Sequence, residues 1–435
     1  MIRLHPNGTH STNCPACGAA NALGTVRFLG AVTGVDVVCA ACQTVYLQTL
    51  PNGQFNRFSV AISADYQHVA VDNRGRWLVD LVKRCLVETA AEIPRIYALP
   101  PKVGELANPL PATASPVLLL CLDPGYGHAL MMLFNAQRHH EQPQRQTVPN
   151  RPIIAVVPCA LAWLVPDYVA ETWVVDLPLS ALERQVPGLD AFVNEQLSRF
   201  QTVWFSHAHI HFDHRTARFS DFTHASKFDL RQFTASLTES IPKLTFILRE
   251  DRLWLRHGWE RLLHKALNRL GFGQKTRRLW ARWQAVRYRE LAHHIHQKLP
   301  YANIVAVGIT GGGQYPIDLG YAVEDQRKPT PISPEQERAW CVQYARSQVV
   351  IGVHGSNMVL PTALAAGFVN LLPPDKLSHY AEDILLAHDN PIHQTLLGRF
   401  VSTSASPRQV ADLVVSMLTE FPVWLAEEQD RDNVL

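Results

Sequence analysis

The chain has 435 residues, 47% of them apolar and 18% charged, with 40 Lys+Arg against 38 Asp+Glu and a formal net charge of +2. That length supports roughly two to three domains with sizeable cores, and the composition excludes collagen-like and disordered chains, a globally basic nucleic-acid wrapper and an acidic tail protein. Eight cysteines are too few for a disulfide scaffold. The start, MIRLHPNGTHSTNCP, lacks the apolar stretch of a secretory signal, and no apolar run reaches the roughly 18 residues that cross a bilayer. Both absences lead us to expect a cytoplasmic protein.

Four cysteines crowd the N-terminus as Cys14-Pro-Ala-Cys17 and Cys39-Ala-Ala-Cys42, with short strands expected at Thr25–Leu29 and Asp36–Val38 between them. Two turns that each offer two thiolates close a tetrahedral S4 site. Gly18 supplies backbone freedom at the first knuckle. The segment resembles a zinc ribbon over about the first 45 residues, which implies structural zinc on Cys14, Cys17, Cys39 and Cys42 and no open position for catalysis. Only Arg3 and Arg27 are basic there, which argues against nucleic acid as its partner. Cys85, Cys121, Cys159 and Cys341 lie far apart and read as small core residues.

From 51 to about 110 the pattern is mixed, with strands expected at Arg57–Ile62 and His68–Val71 and a helix over Leu78–Ala91. Ile93–Pro116 is rich in proline and reads as an extended connector. Beyond Pro116, short apolar runs alternate with helical patterns. Val117–Leu122, Ile153–Val157, Thr172–Val175 and Thr202–Phe205 form one set; Leu244–Leu248, Ile304–Val307, Gln348–Ile351 and Val369–Leu372 form another. Runs this short and continuous suit parallel strands buried on both faces. The expected fold is therefore α/β, with two Rossmann-like domains behind a small zinc ribbon. The expected boundaries are 1–50 for the ribbon, 51–115 for the mixed segment and connector, 116–235 for the first Rossmann-like domain and 236–435 for the second.

The first run leads into Asp123-Pro124-Gly125-Tyr126-Gly127-His128, with a helix expected from about Ala129. A helix N-terminus keeps a histidine neutral, so His128 is the first candidate for a general base; its plain alternative is a polar cap. After Thr202–Phe205 comes SHAHIHFDH (206–214), in which His209-x-His211-x-Asp213-His214 resembles the zinc motif of the metallo-β-lactamase superfamily. That likeness implies a zinc-dependent hydrolase with a metal-activated water. The context differs: no glycine turn follows, and His224, His257 and His264 sit in helix-like basic stretches. The competing reading is a polar strand-end loop lining a cleft, with Asp213 or His209 as second candidates for the base.

In the second half, Leu244–Leu248 ends in Arg249-Glu250-Asp251, and Ile304–Val307 ends in Gly308-Ile309-Thr310-Gly311. Ser333-Pro334-Glu335-Gln336 is a capped helix start, and that helix should run to about Arg346. Gln348–Ile351 then enters Gly352-Val353-His354-Gly355-Ser356-Asn357, with a helix expected from Asn357 to Ala366 and Gly367 at its end. Ligands of open parallel sheets bind beyond the carboxyl ends of strands, where glycines and a helix start favour phosphate. A tight corner is the plain alternative for the glycines, and an ordinary surface salt bridge for Arg249.

The run SQVVIGVHGSNMVLPTALAAGFVNLLPPD (347–375) resembles the donor-site region of GT-B glycosyltransferases, in particular bacterial glycan transferases and O-linked sugar transferases with a G-x-H-G turn. The likeness covers about residues 115–425. It implies that Gly352, His354, Gly355, Ser356 and Asn357 contact the donor diphosphate, with Arg249 beside them; Thr310 and Gly311, in the glycine-rich loop after Ile304–Val307, are expected on the same side. It also implies that Gly125, Tyr126 and Gly127 form the glycine-containing loop of the acceptor side. The expected activity is metal-independent transfer of a sugar from a nucleoside-diphosphate donor to a glycan, lipid-linked or protein acceptor. No clear Glu-x7-Glu donor motif accompanies the run, so direct displacement is expected rather than retention.

Between Arg249 and Lys298 the chain has thirteen Lys/Arg and four Asp/Glu, interleaved with Trp254, Trp259, Trp280 and Trp283. This basic helical insertion, about 252–298, suits a membrane interface or a lipid-linked acceptor, with a location on the inner face of the membrane. A solvated helical hairpin with its tryptophans in the core is the plain alternative, and a nucleic-acid strand is disfavoured. A non-catalytic polymer-binding module is a further reading of ribbon and basic stretch together.

Overall fold

Residues that are apolar without interruption become central strands, because a strand covered by helices on both faces has no polar side to alternate with. The computed structural model describes residues 1–5, 12–21, 24–100, 110–145, 151–210, 217–233, 241–249, 252–310, 318–320, 322–379 and 395–432. The chain divides into two units, Met1–Phe212 and Asp213–Leu435.

In the first unit, β1 (Ile2–His5) precedes the cysteine knuckles. β2 (Thr12–Asn13) and β3 (Ala20–Asn21) pair across the first knuckle. β4 (Thr25–Phe28), β5 (Thr33–Val38), β6 (Val45–Thr49), β7 (Val60–Ser63) and β8 (Val69–Val71) follow as an antiparallel meander, so the sheet that begins between the knuckles continues past Leu50. α1 (Leu78–Val87) buries Leu78, Leu81, Val82 and Cys85 at helical spacing, in one cluster with Leu47, Val60 and Ile62.

The second sheet of this unit contains β9 (Arg95–Leu99), β10 (Val117–Leu120), β11 (Ile153–Pro158), β12 (Glu171–Asp176) and β13 (Val203–Phe205), in the order β1-β13-β10-β11-β12-β9. The four central strands are parallel and the two edges antiparallel. The Pro-rich stretch expected as a connector thus supplies an edge strand. Prolines 94 and 100 bracket β9, and an edge is the position where a sheet tolerates them. α2 (Tyr126–Leu133) and α3 (Asn135–Arg145) link β10 to β11, and α4 (Leu189–Leu197) lies between β12 and β13. Leu118, Ile154, Val156 and Trp173 share one core with Phe28, Val35, Cys14 and Cys39, so the cysteine module is packed into the unit and is not a separate bead.

The second unit begins with α5 (Phe219–Thr223). Its sheet contains β14 (Lys243–Arg249), β15 (Asn303–Thr310), β16 (Glu324–Asp325), β17 (Lys328–Pro329), β18 (Val349–Val353), β19 (Gly367–Leu372) and β20 (Gly398–Ser402). All pair in parallel, in the order β16-β15-β14-β18-β19-β20, with β17 also on β15. α6 (Gly258–Arg269) and α7 (Gly273–Lys298) form the basic insertion between β14 and β15. α8 (Pro334–Ala345) starts as expected, with Ser333 Oγ accepting from Gln336 N. After β18 the turn enters a single 3-10 turn, Ser356–Met358, and then α9 (Val359–Leu364), shorter than the expected Asn357–Ala366 helix; Pro361 sits inside it. Six α-helical residues carry little macrodipole, so a phosphate there would depend on the turn and on side chains.

The final helix, α10 (Pro407–Asp432), is long and apolar enough over Pro407–Glu427 to cross a membrane by length and composition. It buries Val410, Ala411, Val414, Met417, Leu418 and Phe421 in the core that also holds Tyr288, Leu291 and Ile295 of α7. Lys298 and Asp412 close the contact at 2.8 Å. One face of the helix thus packs on this core, while Val423 and Trp424 are exposed.

Candidate functional site

The four N-terminal cysteines converge. Their sulfurs all lie within 4.8 Å of one another, with Cys14–Cys42 and Cys17–Cys39 both at 3.6 Å. Zn–S bonds of about 2.3 Å at tetrahedral angles would set sulfurs roughly 3.8 Å apart, so the arrangement fits a metal of that size. Each knuckle is closed by its own backbone: Gly18 N donates to Cys14 O, and Gln43 N to Cys39 O, both at 2.9 Å. Cys14 and Cys39 are buried while Cys17 and Cys42 face solvent. The backbone N–H of Cys42, then that of Ala41 and the Asn21 amide, bring the Cys39 thiol down to about 6 against the opposing pull of burial. A hydrogen bond from the Thr44 side chain lowers Cys42 likewise. Cys39 and Cys42, favoured as thiolates in this way, are ready metal ligands, while at Cys17 the pull of the Ala19 backbone N–H is outweighed by the neighbouring sulfurs, which push the thiol up to about 12. Among the described residues these cysteines are the one group of metal-ligating side chains close enough to share an ion. His211, Asp213 and His214 lie outside the described residues, and the strand that leads to them, β13, is parallel to β10.

In the first unit the sequence order of strands reverses between β10 and β13, and the loops leaving that switch point carry polar side chains. Asp123, buried, follows β10 and accepts from Gly125 N at 2.7 Å. α2 starts at Tyr126, three residues earlier than expected, which makes His128 part of its first turn. His128 Nδ1 lies 3.3 Å from Asp123 Oδ1 and 2.9 Å from Gln54 Nε2, while Gln54 Nε2 donates to Asp123 Oδ2 at 3.0 Å. A protonated Nδ1 donates to Asp123, which leaves Nε2 as the proton acceptor, and a bare Nδ1 accepts from Gln54, so each tautomer finds a partner. Gln54 comes from the turn between β6 and β7 of the N-terminal meander, 69 residues before Asp123, and no motif marks it.

The loop after β13 is pinned from three sides. Gly53 N donates to His207 O at 3.0 Å, and Asn56 Nδ2 donates to the same oxygen. Asn135 Nδ2 donates to His209 O at 2.7 Å, and His209 N donates to Asn135 Oδ1 at 3.2 Å. Ser206 Oγ lies 2.7 Å from His139 Nε2 and accepts from Ala208 N, and Ala208 is held at φ 44. Burial pushes the His139 imidazole down to about 4. Burial, then the Arg138 and N-terminal charges, also lower His209, so both rings are neutral near pH 7. Asp213 lies outside the described residues.

In the second unit the switch point falls between β14 and β18, and a cavity of about 560 Å³ opens there. Its walls come from the ends of β18, β19 and β20 (His354, Pro373, Thr403), from Arg252 after β14, and from Arg261 and Lys265 of α6. Lys376 adds a further cation, and Asp375, last residue of the GT-B-like run, also lines the cavity. Gly355 has φ 149; a Cβ there would stand 3.4 Å from Arg252 Cζ and 3.1 Å from Asn357 Oδ1. Only glycine combines that backbone with so close a guanidinium. The 252–256 segment is anchored: Gln284 Nε2 donates to Arg252 O at 2.8 Å and Trp254 Nε1 to Thr403 O at 2.9 Å. The Thr403 hydroxyl, buried at the wall, has no hydrogen-bond partner among the described residues.

The donor-side candidates separate accordingly. His354 lines the cavity and Gly355 turns beside it, while Ser356 and Asn357 form the 3-10 turn that follows. Gly352 serves packing: a Cβ there would come within 2.5 Å of Met358 Sδ. Arg249 ends β14 and its carbonyl accepts from Arg252 N at 3.1 Å; Thr310 ends β15, buried. Gly311, Glu250 and Asp251 lie outside the described residues. Arg252, which the motif reading passes over, is one of the cations that line the cavity. A second cavity of about 650 Å³ sits at Asn303 and Ile304, the amino end of β15, away from the ligand-binding edge of such sheets.

No protein-family model and no curated protein sequence matches the chain. Among solved structures, E. coli ADP-heptose LPS heptosyltransferase II is similar over 71% of this chain and 99% of its own, at 13% identity and a TM-score of 0.37. The iron-containing dodecameric glycosyltransferase TibC from enterotoxigenic E. coli is similar over 61% of this chain and 59% of its own, at 13% identity and a TM-score of 0.28. The trehalose-6-phosphate synthase OtsA is similar over 65% of this chain and 62% of its own, at 13% identity and a TM-score of 0.24.

Proposed function

We propose that this chain is a glycosyltransferase that takes a sugar from a nucleoside-diphosphate donor held in the second unit. The observation that carries the reading is the 560 Å³ cavity at the β14/β18 switch point, walled by Arg252, Arg261, Lys265 and Lys376 and closed by the His354-Gly355 turn. A diphosphate leaving group departs with the electron pair of the sugar–oxygen bond, and cations held in place beforehand stabilise that charge as it develops. The acceptor hydroxyl forms the new bond to the anomeric carbon and gives up its proton. His128, oriented by Asp123 and Gln54, is the base we assign; His209, kept neutral, is the other described candidate, and Asp213 stays a sequence-based one. The acceptor is a glycan, a lipid-linked sugar or a protein. Cys14, Cys17, Cys39 and Cys42 would hold a structural zinc, whose contribution is to the fold, since four thiolates leave no site for a reacting ligand.

Thermal shift against a panel of nucleoside diphosphates and nucleotide sugars tests the reading, because a ligand of the native state raises its melting temperature. The expected result is a shift with one nucleotide class that is lost in Arg252→Ala. An intact protein that shifts with none of them would overturn the assignment.

A further inference from the structure

We propose that the α6–α7 hairpin is a docking surface for an anionic lipid bilayer. Trp259, Leu262, Leu263, Ala266, Leu267 and Leu270 recur at spacings of three and one, the signature of one apolar helix face. In a soluble helix that face is the buried one. Here Leu262 is 71% exposed, Leu270 69% and Trp259 51%, and Glu260 is the one buried residue of α6. On α7 the exposed Leu279, Trp283 and Val286 continue the surface, and Trp259 meets Trp283 edge-on at 5.7 Å. The hairpin tip, Leu270-Gly271-Phe272, is exposed as well.

Charge selects the occupant. From Arg261 to Arg289 the chain has nine Lys/Arg and no Asp/Glu. Lys265, Arg269, Lys275, Arg278, Arg282 and Arg289 are exposed around the apolar surface, whereas Arg287 is neutralised internally by Glu260. A second copy would bring two such basic faces together and be repelled. A nucleic-acid strand would answer the charge and leave the leucines and tryptophans in water. An anionic bilayer meets both: the apolar face enters the acyl boundary while the cations stay at the headgroups. The surface is presented rigidly, since His257 N donates to Glu260 Oε2 at 3.1 Å and Arg287 ties Glu260 to the Trp254 carbonyl. The proposal does not depend on the transferase reading.

Co-sedimentation of the intact protein with phosphatidylcholine vesicles, with and without phosphatidylglycerol, tests it. Binding is expected with phosphatidylglycerol, falling with salt, and about tenfold or more weaker without it. Leu263→Glu/Leu270→Glu, at exposed positions away from the cavity, should abolish binding with an unchanged melting temperature. Lys265→Glu/Arg269→Glu should weaken it while retaining the apolar face. Absence of binding to phosphatidylglycerol vesicles at low salt would overturn the proposal, as would undiminished binding by either variant. A concentration-dependent dimer that Leu263→Glu/Leu270→Glu disperses, without vesicle binding by the parent, would instead assign the face to a second copy.

Discussion

At the scale of single residues, the first unit depends on a small triangle. Asp123 is buried, so its carboxylate needs partners, and Gly125 N and Gln54 Nε2 both donate to it. That leaves its position fixed beside His128 Nδ1, as a base's orienting group must be. His128→Ala should lower sugar transfer by about 10²–10⁴-fold, the range of a lost general base. Gln54→Leu should lower kcat less and displace the pH–rate profile, since the imidazole keeps its place and loses one restraint. Steady-state kinetics across pH checks both, and undiminished turnover of His128→Ala removes it as the base. His128 was legible in the sequence because it follows a glycine-bearing strand end. Gln54 was not, since nothing local marks a side chain that acts on a residue so distant in the chain. The same holds for Arg252: the sequence pointed to Arg249, the strand terminus, and the tertiary turn of the 252–256 segment brings the later guanidinium to the cavity wall.

At the scale of elements, a buried ion pair ties α6 to α7, beside the ring contacts of Trp259 with Trp283 and of His264 with Trp280. Arg287 donates to Glu260 with both groups almost fully buried. Burial is the largest influence and raises the Glu260 carboxyl; the hydrogen bond and charge of Arg287 and the backbone N–H groups of His257 and Arg256 together outweigh it, so the net direction is downward. Removing one partner leaves a buried charge unpaired, which costs about 3–5 kcal/mol. Glu260→Ala should therefore melt well below the parent in a urea or thermal titration at pH 7. The folded-state pKa is depressed, so this stabilisation is present above the unfolded carboxyl's pKa and is lost as pH falls through the lowered value. The parent's advantage over the variant should accordingly shrink in acid, and a constant difference would assign the effect to packing alone. Strands were the most legible elements: Val117–Leu122 and Ile153–Val157 were expected, and Val117–Leu120 and Ile153–Pro158 form. Edge elements were less so. β9 pairs on one side only, and its flanking prolines and half-exposed residues carry no buried-strand pattern.

At the scale of the whole molecule, the cysteine module contributes Cys14 and Cys39 to the same core as the first parallel sheet, and its turn contributes Gln54 to the polar cluster. Metal removal should therefore be felt beyond the first 45 residues. Elemental analysis should find one zinc per chain, and a chelator should lower the melting temperature of the intact protein; equal stability of the metal-free protein would set the zinc assignment aside. The near-zero net charge is a sum of unlike parts, since Arg261–Arg289 has no acidic residue at all. The sequence by itself determined what is local. Ligand spacing selected four cysteines, continuous apolar runs marked the parallel strands, and cations interleaved with tryptophans marked the basic insertion. Only the tertiary structure decided which strands are neighbours. A strand apolar on both faces can lie beside any other such strand, so nothing in its residues specifies the orders β13-β10-β11-β12 and β15-β14-β18-β19. Those orders create the two switch points, and the switch points determine which distant loops, and therefore which of many Arg, His and Gln side chains, meet.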